Sequence, residues 1–295
     1  MVNIRRKTIN GNNYYYLEHS FRQDKKIKKR EIYLGNKIPE NIDKIKKEFI
    51  NNIYKEKWHN KLNYIKKEFS QEIKFTPKSA REKELENFMV KFTYNTQRIE
   101  GSKLTLKETA NLLEKGISPK EKPLRDVKEA EAHKKLFYEM LDYKKDLSLT
   151  IILYWHKILF NETKPDIAGK MRTHGVSISG SKFIPPSPVE LNLLIEEFFI
   201  WYKKNKDKIH SVELAALVHL KFVTIHPFSD GNGRISRIMM NFILNKNNYP
   251  MFNIIYENRN SYYNALERSQ IKKNDFIFIH WFIKKYILEN KIKKK

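Results

Sequence analysis

The sequence predicts a mainly α-helical protein with a small β-meander at its N-terminus. Apolar residues recur at helical spacing through almost all of the chain beyond residue 80. Residues 1–36 read instead as strands around a hairpin turn signal. The 295 residues are 40% hydrophobic, with 18 Phe and 16 Tyr, enough for a substantial core and against global disorder.

The strands come first. Thr8-Ile9 and Tyr14-Tyr15-Tyr16-Leu17 flank Asn10-Gly11, a two-residue hairpin signal. Six Lys or Arg fall between Arg22 and Arg30, and Glu31-Ile32-Tyr33-Leu34-Gly35 reads as a third strand with a basic turn before it. Residues 1–38 form this meander. A Lys-rich connecting helix follows at 39–79, with Ile45, Phe49, Ile53 and Trp58 on its apolar positions, and Pro77 marks its end.

The next region, 80–145, opens with Leu85, Phe88, Met89, Phe92, Thr96 and Ile99 at helical spacing and a stop at Gly101. Thr105 and Glu108 make a capping box for a helix ending near Gly116. Further helices are expected at 125–143, 149–160, 189–204 and 211–225. Residues 146–295 hold the core of the bundle and its C-terminal helices. Within them, Val176, Ile178 and Phe183 around Ser179-Gly180-Ser181 predict a short β-hairpin closed by Pro185-Pro186.

The absence of cysteine excludes disulfides, thiolate metal sites and a cysteine nucleophile, and fits a reducing compartment. Residues 1–10 are polar, with Arg5, Arg6 and Lys7, unlike a secretory leader. The most apolar stretch, Phe276 to Ile283, is interrupted by His280 and too short to span a bilayer. The expectation is a soluble cytoplasmic protein with no membrane partner. A net charge of +24 attracts nucleic acid, nucleotides and acidic proteins, although scattered pairs such as Lys46-Lys47 and Lys66-Lys67 read as solvated helix faces.

The chemistry concentrates in His226-Pro227-Phe228-Ser229-Asp230-Gly231-Asn232-Gly233-Arg234-Ile235-Ser236-Arg237. Val212, Ala216, Leu220 and Val223 form an apolar helix face leading to it, and Pro227 disfavours helical geometry at His226. After the glycines, Ile235, Ile238, Met239, Phe242 and Ile243 make a buried helical stripe that Asn247, Asn248 and Pro250 end. Asp-Gly-Asn-Gly therefore stands at a helix N-terminus, where unpaired N–H groups and the dipole favour an anion and glycines allow close approach. Arg234 and Arg237, three apart, share a face and direct two guanidinium forks to that anion. Asp230 offers a hard oxygen for Mg²⁺, and His226 a titratable base. Each feature alone is commonplace. Together they describe phosphoryl or nucleotidyl transfer. A P-loop and a Gly-x-Gly-x-x-Gly fingerprint are both absent. An EF-hand from Asp230 fails at Ile235 and Asn241.

This segment resembles the Fic family signature, His-Pro-Phe-x-Asp/Glu-Gly-Asn-Gly-Arg-x-x-Arg, at all nine fixed positions. The resemblance extends over roughly residues 85–285. Thr96-Gln97-Arg98-Ile99-Glu100-Gly101 is similar to the inhibitory helix motif Ser/Thr-x-x-x-Glu-Gly/Asn, Arg172 to Pro186 to the flap hairpin, and Tyr262-Tyr263-Asn264-Ala265-Leu266 to the segment bordering the adenosine. It implies a Fic-type helical bundle with a hairpin flap, and a protein adenylyltransferase that moves AMP from ATP to a Ser, Thr or Tyr hydroxyl. His226 would be the general base, and Phe228 would anchor the loop. Asp230 would hold Mg²⁺ or Mn²⁺, and Gly231, Asn232 and Gly233 would bind the α/β-phosphates. Arg234 would steady the phosphate chain, Arg237 would meet the γ-phosphate, and Ile235 and Ser236 complete the segment.

The flap residues Val176, Ser177, Ile178 and Ser179, with Tyr262 and Tyr263, would border the nucleotide. Gln270 departs from the family's Asn near there. Glu100 would compete with the γ-phosphate for Arg237 and so inhibit. A protein substrate would dock on the flap by strand addition. Dimerisation is common among family members with this inhibitory arrangement. The alternatives are removal of AMP, transfer of another phosphate-linked group, or a nucleic-acid-binding module with a silent core. The meander would grip nucleic acid or an acidic partner, or extend the scaffold.

Overall fold

The computed structural model describes residues 2–23 and 26–292. The chain divides into two compact units, Met1–Tyr64 and Ile65–Lys295. The first opens with the expected meander: β1 (Val2–Ile9), β2 (Asn12–Gln23) and β3 (Lys26–Gly35), antiparallel in the order β1-β2-β3. Asn10 and Gly11 take φ of 51° and 79°, the paired left-handed geometry of a tight hairpin. Residues 24 and 25 of the expected basic turn lie outside the described residues. Helix α1 (Ile42–Phe75) begins in this unit, where Phe49 and Ile53 close over Leu17 with Val2, Ile4, Phe21, Leu34 and Ile45 around them. One sheet face is thereby covered.

The second unit is helical. Its elements are α2 (Lys78–Ile99), α3 (Leu106–Lys115), α4 (Leu124–Asp142), α5 (Leu149–Phe160), α6 (Leu191–Asn205), α7 (Ser211–Ile225), α8 (Asn232–Lys246), α9 (Arg259–Ile271) and α10 (Asp275–Ile292). Both halves of the Thr105–Glu108 capping box are present, and Gly116 ends α3 in the left-handed region. Helix α7 carries apolar residues on every side, from Val212, Leu214 and Ala215 to Leu220 and Phe222, and is buried on every side as such a pattern requires. It packs beside α8; α6 and α10 cover α7, while α2, α4 and α5 flank α8. The α8 stripe of Ile235, Ile238, Met239, Phe242 and Ile243 is 0–2% exposed. At about 1.5–3 kcal/mol per side chain, that stripe holds the start of α8 firmly. No helix among the described residues is long and apolar enough to cross a membrane.

One expected element does not form. Residues 169–186 turn at Ser179-Gly180, with the Ser181 N–H donating to the Ile178 carbonyl at 3.1 Å, but the segment has no strand ladder. Side chains take the groups that a hairpin would pair. Arg172 donates to the His174 and Pro186 carbonyls at 2.8 and 2.6 Å, Glu267 accepts from the Lys182 N–H at 2.5 Å, and Ser181 Oγ accepts from the Phe183 N–H at 3.1 Å. Pro185 and Pro186 have no N–H to contribute. The flap is a tethered loop.

Candidate active site

The loop between α7 and α8 is held from several directions. His226 caps α7 with φ 54° and ψ 55°, a left-handed conformation that costs a non-glycine residue about 1–2 kcal/mol. Arg172 secures it: its Nε donates to the His226 carbonyl at 2.8 Å, and its backbone N–H donates to the Pro227 carbonyl at 2.9 Å. Phe228 is fully buried and stacks on His156 at 3.8 Å. Asn232 grips the Phe228 backbone at both ends of its amide, accepting from the N–H at 2.9 Å and donating to the carbonyl at 2.8 Å. Asn232 is thus a brace for the loop. The His156 Nε2–H donates to the Asp230 carbonyl at 3.0 Å, while its Nδ1 accepts from Gly169 at 2.9 Å.

Gly231 is required twice over. Its φ is 80°, and a Cβ there would sit 2.5 Å from the Phe160 ring. Gly233 is closely approached by side-chain ends: a Cβ there would lie 2.5 Å from Glu100 Oε1 and 3.0 Å from Arg237 Nη1, so an added methyl would displace that carboxylate. The first N–H groups of α8 have no intrahelical acceptors and form the positive end of its dipole.

The His226 ring is oriented by its Nδ1, which lies 3.1 Å from the Val223 carbonyl. A carbonyl only accepts, so Nδ1 carries the hydrogen and Nε2 keeps a lone pair. Burial lowers the His226 pKa, the Val223 hydrogen bond works against that shift, and Arg172 adds to it. The ring is neutral at pH 7 and able to accept a proton.

Around Arg237 lies a buried network. Its Nη2 donates to Glu100 Oε1 at 2.5 Å, its Nε to Thr96 Oγ1 at 2.6 Å, and its Nη1 to the Tyr262 hydroxyl at 3.4 Å. The Tyr262 hydroxyl in turn donates to His219 Nε2 at 3.0 Å. Burial keeps Tyr262 protonated, its pKa raised to about 12, and lowers that of His219. A neutral acceptor therefore stands behind the hydroxyl. Glu100 caps α2 in a Schellman turn: Ser102 N–H donates to the Gln97 carbonyl at 3.0 Å and Gly101 N–H to the Arg98 carbonyl at 3.1 Å, with Gly101 at φ 96°. The Tyr263 hydroxyl donates to the Ile99 carbonyl at 3.0 Å and fixes this turn against α9.

Arg234 does not share that position. Its fork is committed to an ion pair with Glu129, to Gln97 Oε1 at 3.2 Å and to Asp230 Oδ1 at 3.0 Å. The two guanidinium groups point to different partners, because Glu129 from α4 and Glu100 from α2 divide them. Asp230 also pairs with Lys164. Burial would raise the Asp230 carboxyl, but Arg234 and Lys164 outweigh it and hold the pKa at about 2. Asp230 is ionised and partly exposed. Among the described residues no group of three or more His, Asp or Glu is arranged to hold a metal. As a lone hard anionic oxygen beside a helix N-terminus, Asp230 fits a Mg²⁺ ion completed by substrate phosphates and water.

A cavity of about 500 Å³ opens over this network. Glu100, Ile178, Ser179, His226, Gly233, Arg237, Tyr262 and Tyr263 line it, together with Gln270 and Glu267. Its size suits a nucleotide-sized ligand. Val176 and Ser177 precede its rim without lining it, and Asp230, Gly231, Asn232 and Arg234 lie outside the lining. Ile235 and Ser236 are fully buried in α8, Ile235 as a core residue and Ser236 through a bond to the Gly233 carbonyl at 2.9 Å. Sequence reasoning gave no site role to Lys164, Glu129, His156 or His219, and took Arg172 only as part of the flap. The bonds that tie them to the site reach 43 to 105 residues along the chain, and none stands in a local pattern.

Residues 146–244 match the Fic/DOC family model. A relative described as protein adenylyltransferase Fic from Drosophila melanogaster is 34% identical over 178 residues, 59% of this chain and 36% of the relative. The equivalent protein of Drosophila yakuba matches at the same identity and shares. The chain thus spans about a third of the length of these curated relatives. Among solved structures, a Fic domain containing signaling protein from Bacteroides thetaiotaomicron superposes with a TM-score of 0.71 at 24% identity, covering 78% of this chain and 95% of that one. Fic-1 from C. elegans superposes with a TM-score of 0.72 at 24% identity, covering 85% and 74%. The bundle has the fold of these Fic structures, and residues 146–244 are similar to the Fic/DOC family.

Proposed function

We propose that this chain transfers AMP from ATP to a hydroxyl of another protein and that Glu100 restrains it. The observation that carries the proposal is the pairing, in one cavity, of a neutral His226 with an available Nε2 and the amide end of α8 beside Arg237. A binding module needs a cradle for phosphate but no base facing it. The Drosophila relatives, named as adenylyltransferases, support the same reading over their shared 178 residues.

In the reaction, His226 Nε2 takes the proton from the target hydroxyl. The oxygen attacks the α-phosphorus, the bond from that phosphorus to the α/β-bridging oxygen breaks, and pyrophosphate leaves. The amides of Gly233 and its neighbours face the developing charge, and Arg237 receives the γ-phosphate. Asp230 would hold Mg²⁺ or Mn²⁺, which supplies charge neutralisation to the phosphates. Glu100 opposes this arrangement. Its carboxylate occupies Arg237 and stands where a Gly233 Cβ would touch it, so a triphosphate has to displace it. Side chains hold the flap backbone at His174, Lys182, Phe183 and Pro186, so a target segment would pair with the stretch between, around Val176 and Ser177.

The test is incubation with ATP labelled on the α-phosphate and Mg²⁺, using wild type, Glu100→Gly and His226→Ala. Label on protein, stronger in Glu100→Gly and lost in His226→Ala, is the expected result. No label in any form with ATP binding intact refutes transfer of AMP. It would favour the hydrolytic direction, in which the Glu100 carboxylate beside the same cavity orients water to release AMP from a modified target.

A further inference from the structure

The positive charge of the chain is unevenly spread. Met1–Tyr64 holds sixteen Lys and Arg against seven Asp and Glu, a net +9 in 64 residues, while the other 231 residues carry +15. The first unit is about twice as densely charged as the second. Lys7, Lys29 and Arg5 stand on the sheet face opposite Leu17, the face that α1 does not cover.

Strand alternation fixes the rest of that face. Leu17 points into the core, so Tyr14, Tyr16 and Glu18 point away from it. The register sets Arg5 and Tyr33 on either side of Tyr16, and Lys7 beside Tyr14. The three tyrosine rings gather: Tyr33 lies 5.3 Å from Tyr16 and 6.3 Å from Tyr14 between centroids. Lys7 Nζ sits 4.1 Å above the Tyr16 ring, and Tyr33 is 54% exposed. Glu18 and Glu31 share the face, with Lys29 and Arg5 at 2.5 and 3.8 Å from Glu18 and Lys7 at 3.6 Å from Glu31, so three cations meet two carboxylates and a positive charge is left over for a phosphate. At the tyrosine end the aliphatic contribution is Ile9, 52% exposed beside Tyr14, too little surface to receive an apolar helix or a lipid. It offers aromatic faces next to cations, the combination that takes unpaired bases and their phosphates.

We infer that this outer sheet face of the first unit docks single-stranded nucleic acid, with Tyr33 and Tyr14 stacking on unpaired bases and Lys7, Arg5 and Lys29 meeting phosphates. A duplex keeps its bases stacked on one another and has none to offer the rings, so charge alone would hold it. The chemistry of the cavity in the second unit plays no part in this inference.

The test is fluorescence anisotropy of the full chain with labelled dT20 and rU20, and with a 20-base-pair duplex for comparison, across a potassium chloride series. Either single strand should bind more tightly than the duplex, with affinity falling steeply as salt rises. Tyr33→Ala should weaken single-strand binding at least about fivefold, and Tyr33→Phe should retain it, since the ring and not the hydroxyl stacks. Lys7→Gln should flatten the salt slope by about 0.7. Circular dichroism of each variant checks that the sheet persists. Where Tyr33→Ala unfolds it, Tyr14→Ala is the second variant, with the same expected loss. Equal binding by a folded Tyr33→Ala or Tyr14→Ala and the wild type, a duplex bound as tightly as the single strands, or no binding at low salt would each overturn the inference.

Discussion

Replacing Glu100 by glycine removes one partner of a charge-assisted hydrogen bond and leaves the other where it is. Arg237 is 1% exposed, and after the change it still donates to Thr96 and Tyr262. It therefore keeps its place and gains an open fork. A charged hydrogen bond contributes about 1.5–3 kcal/mol. In the wild type a γ-phosphate has to break that bond before making its own, so ATP affinity should rise roughly 10- to 150-fold in Glu100→Gly. Calorimetric titration of both proteins with ATP and Mg²⁺ measures this directly. Without nucleotide the variant should melt at a lower temperature, because a buried guanidinium has lost a countercharge. Saturating ATP should reverse the difference, since ligand binding to the folded state adds stability. An unchanged Kd for ATP in Glu100→Gly would refute the competition between carboxylate and phosphate, whatever happened to activity.

Other outcomes follow from the same geometry. In the Glu100→Gly background, Tyr262→Phe should raise the ATP Kd several-fold, because Arg237 loses the acceptor that His219 orients, while His219→Gln, which keeps an acceptor, should raise it less; equal Kd values would refute the chain from His219 to Arg237. Gly231→Ala should destabilise the fold by about 2–5 kcal/mol through positive φ and the clash with Phe160, measured by urea denaturation. Stability should fall with acid below pH 6.5. Burial lowers the pKa of His133 to about 3 and that of His156 to about 4, so the unfolded chain binds protons that the folded chain refuses. Between pH 6.5 and 5 these two residues should remove about 3 kcal/mol, and a flat urea midpoint across that range would refute their neutral burial.

Much of the fold was legible because its signals are local. Asn10-Gly11 names its turn, Thr105 and Glu108 name a helix start, and α7 and α8 declare themselves by apolar spacing. The loop from His226 to Arg237 could be read for the same reason, since Pro, Gly and Asp-Gly-Asn-Gly act on their own neighbours. The flap failed as a hairpin because its backbone groups are claimed from a distance, by Glu267 and by a buried Arg172 that no periodicity marks. Spacing alone put Arg234 and Arg237 on one face, and that is true of α8. Only packing revealed that Glu129 and Asp230 take the first fork while Glu100, Thr96 and Tyr262 take the second. The sequence by itself determined the helix ends and the residue types at the site. The tertiary structure decided which charges are spent on one another and which still face the cavity, because the partner of a buried charge is set by proximity in space.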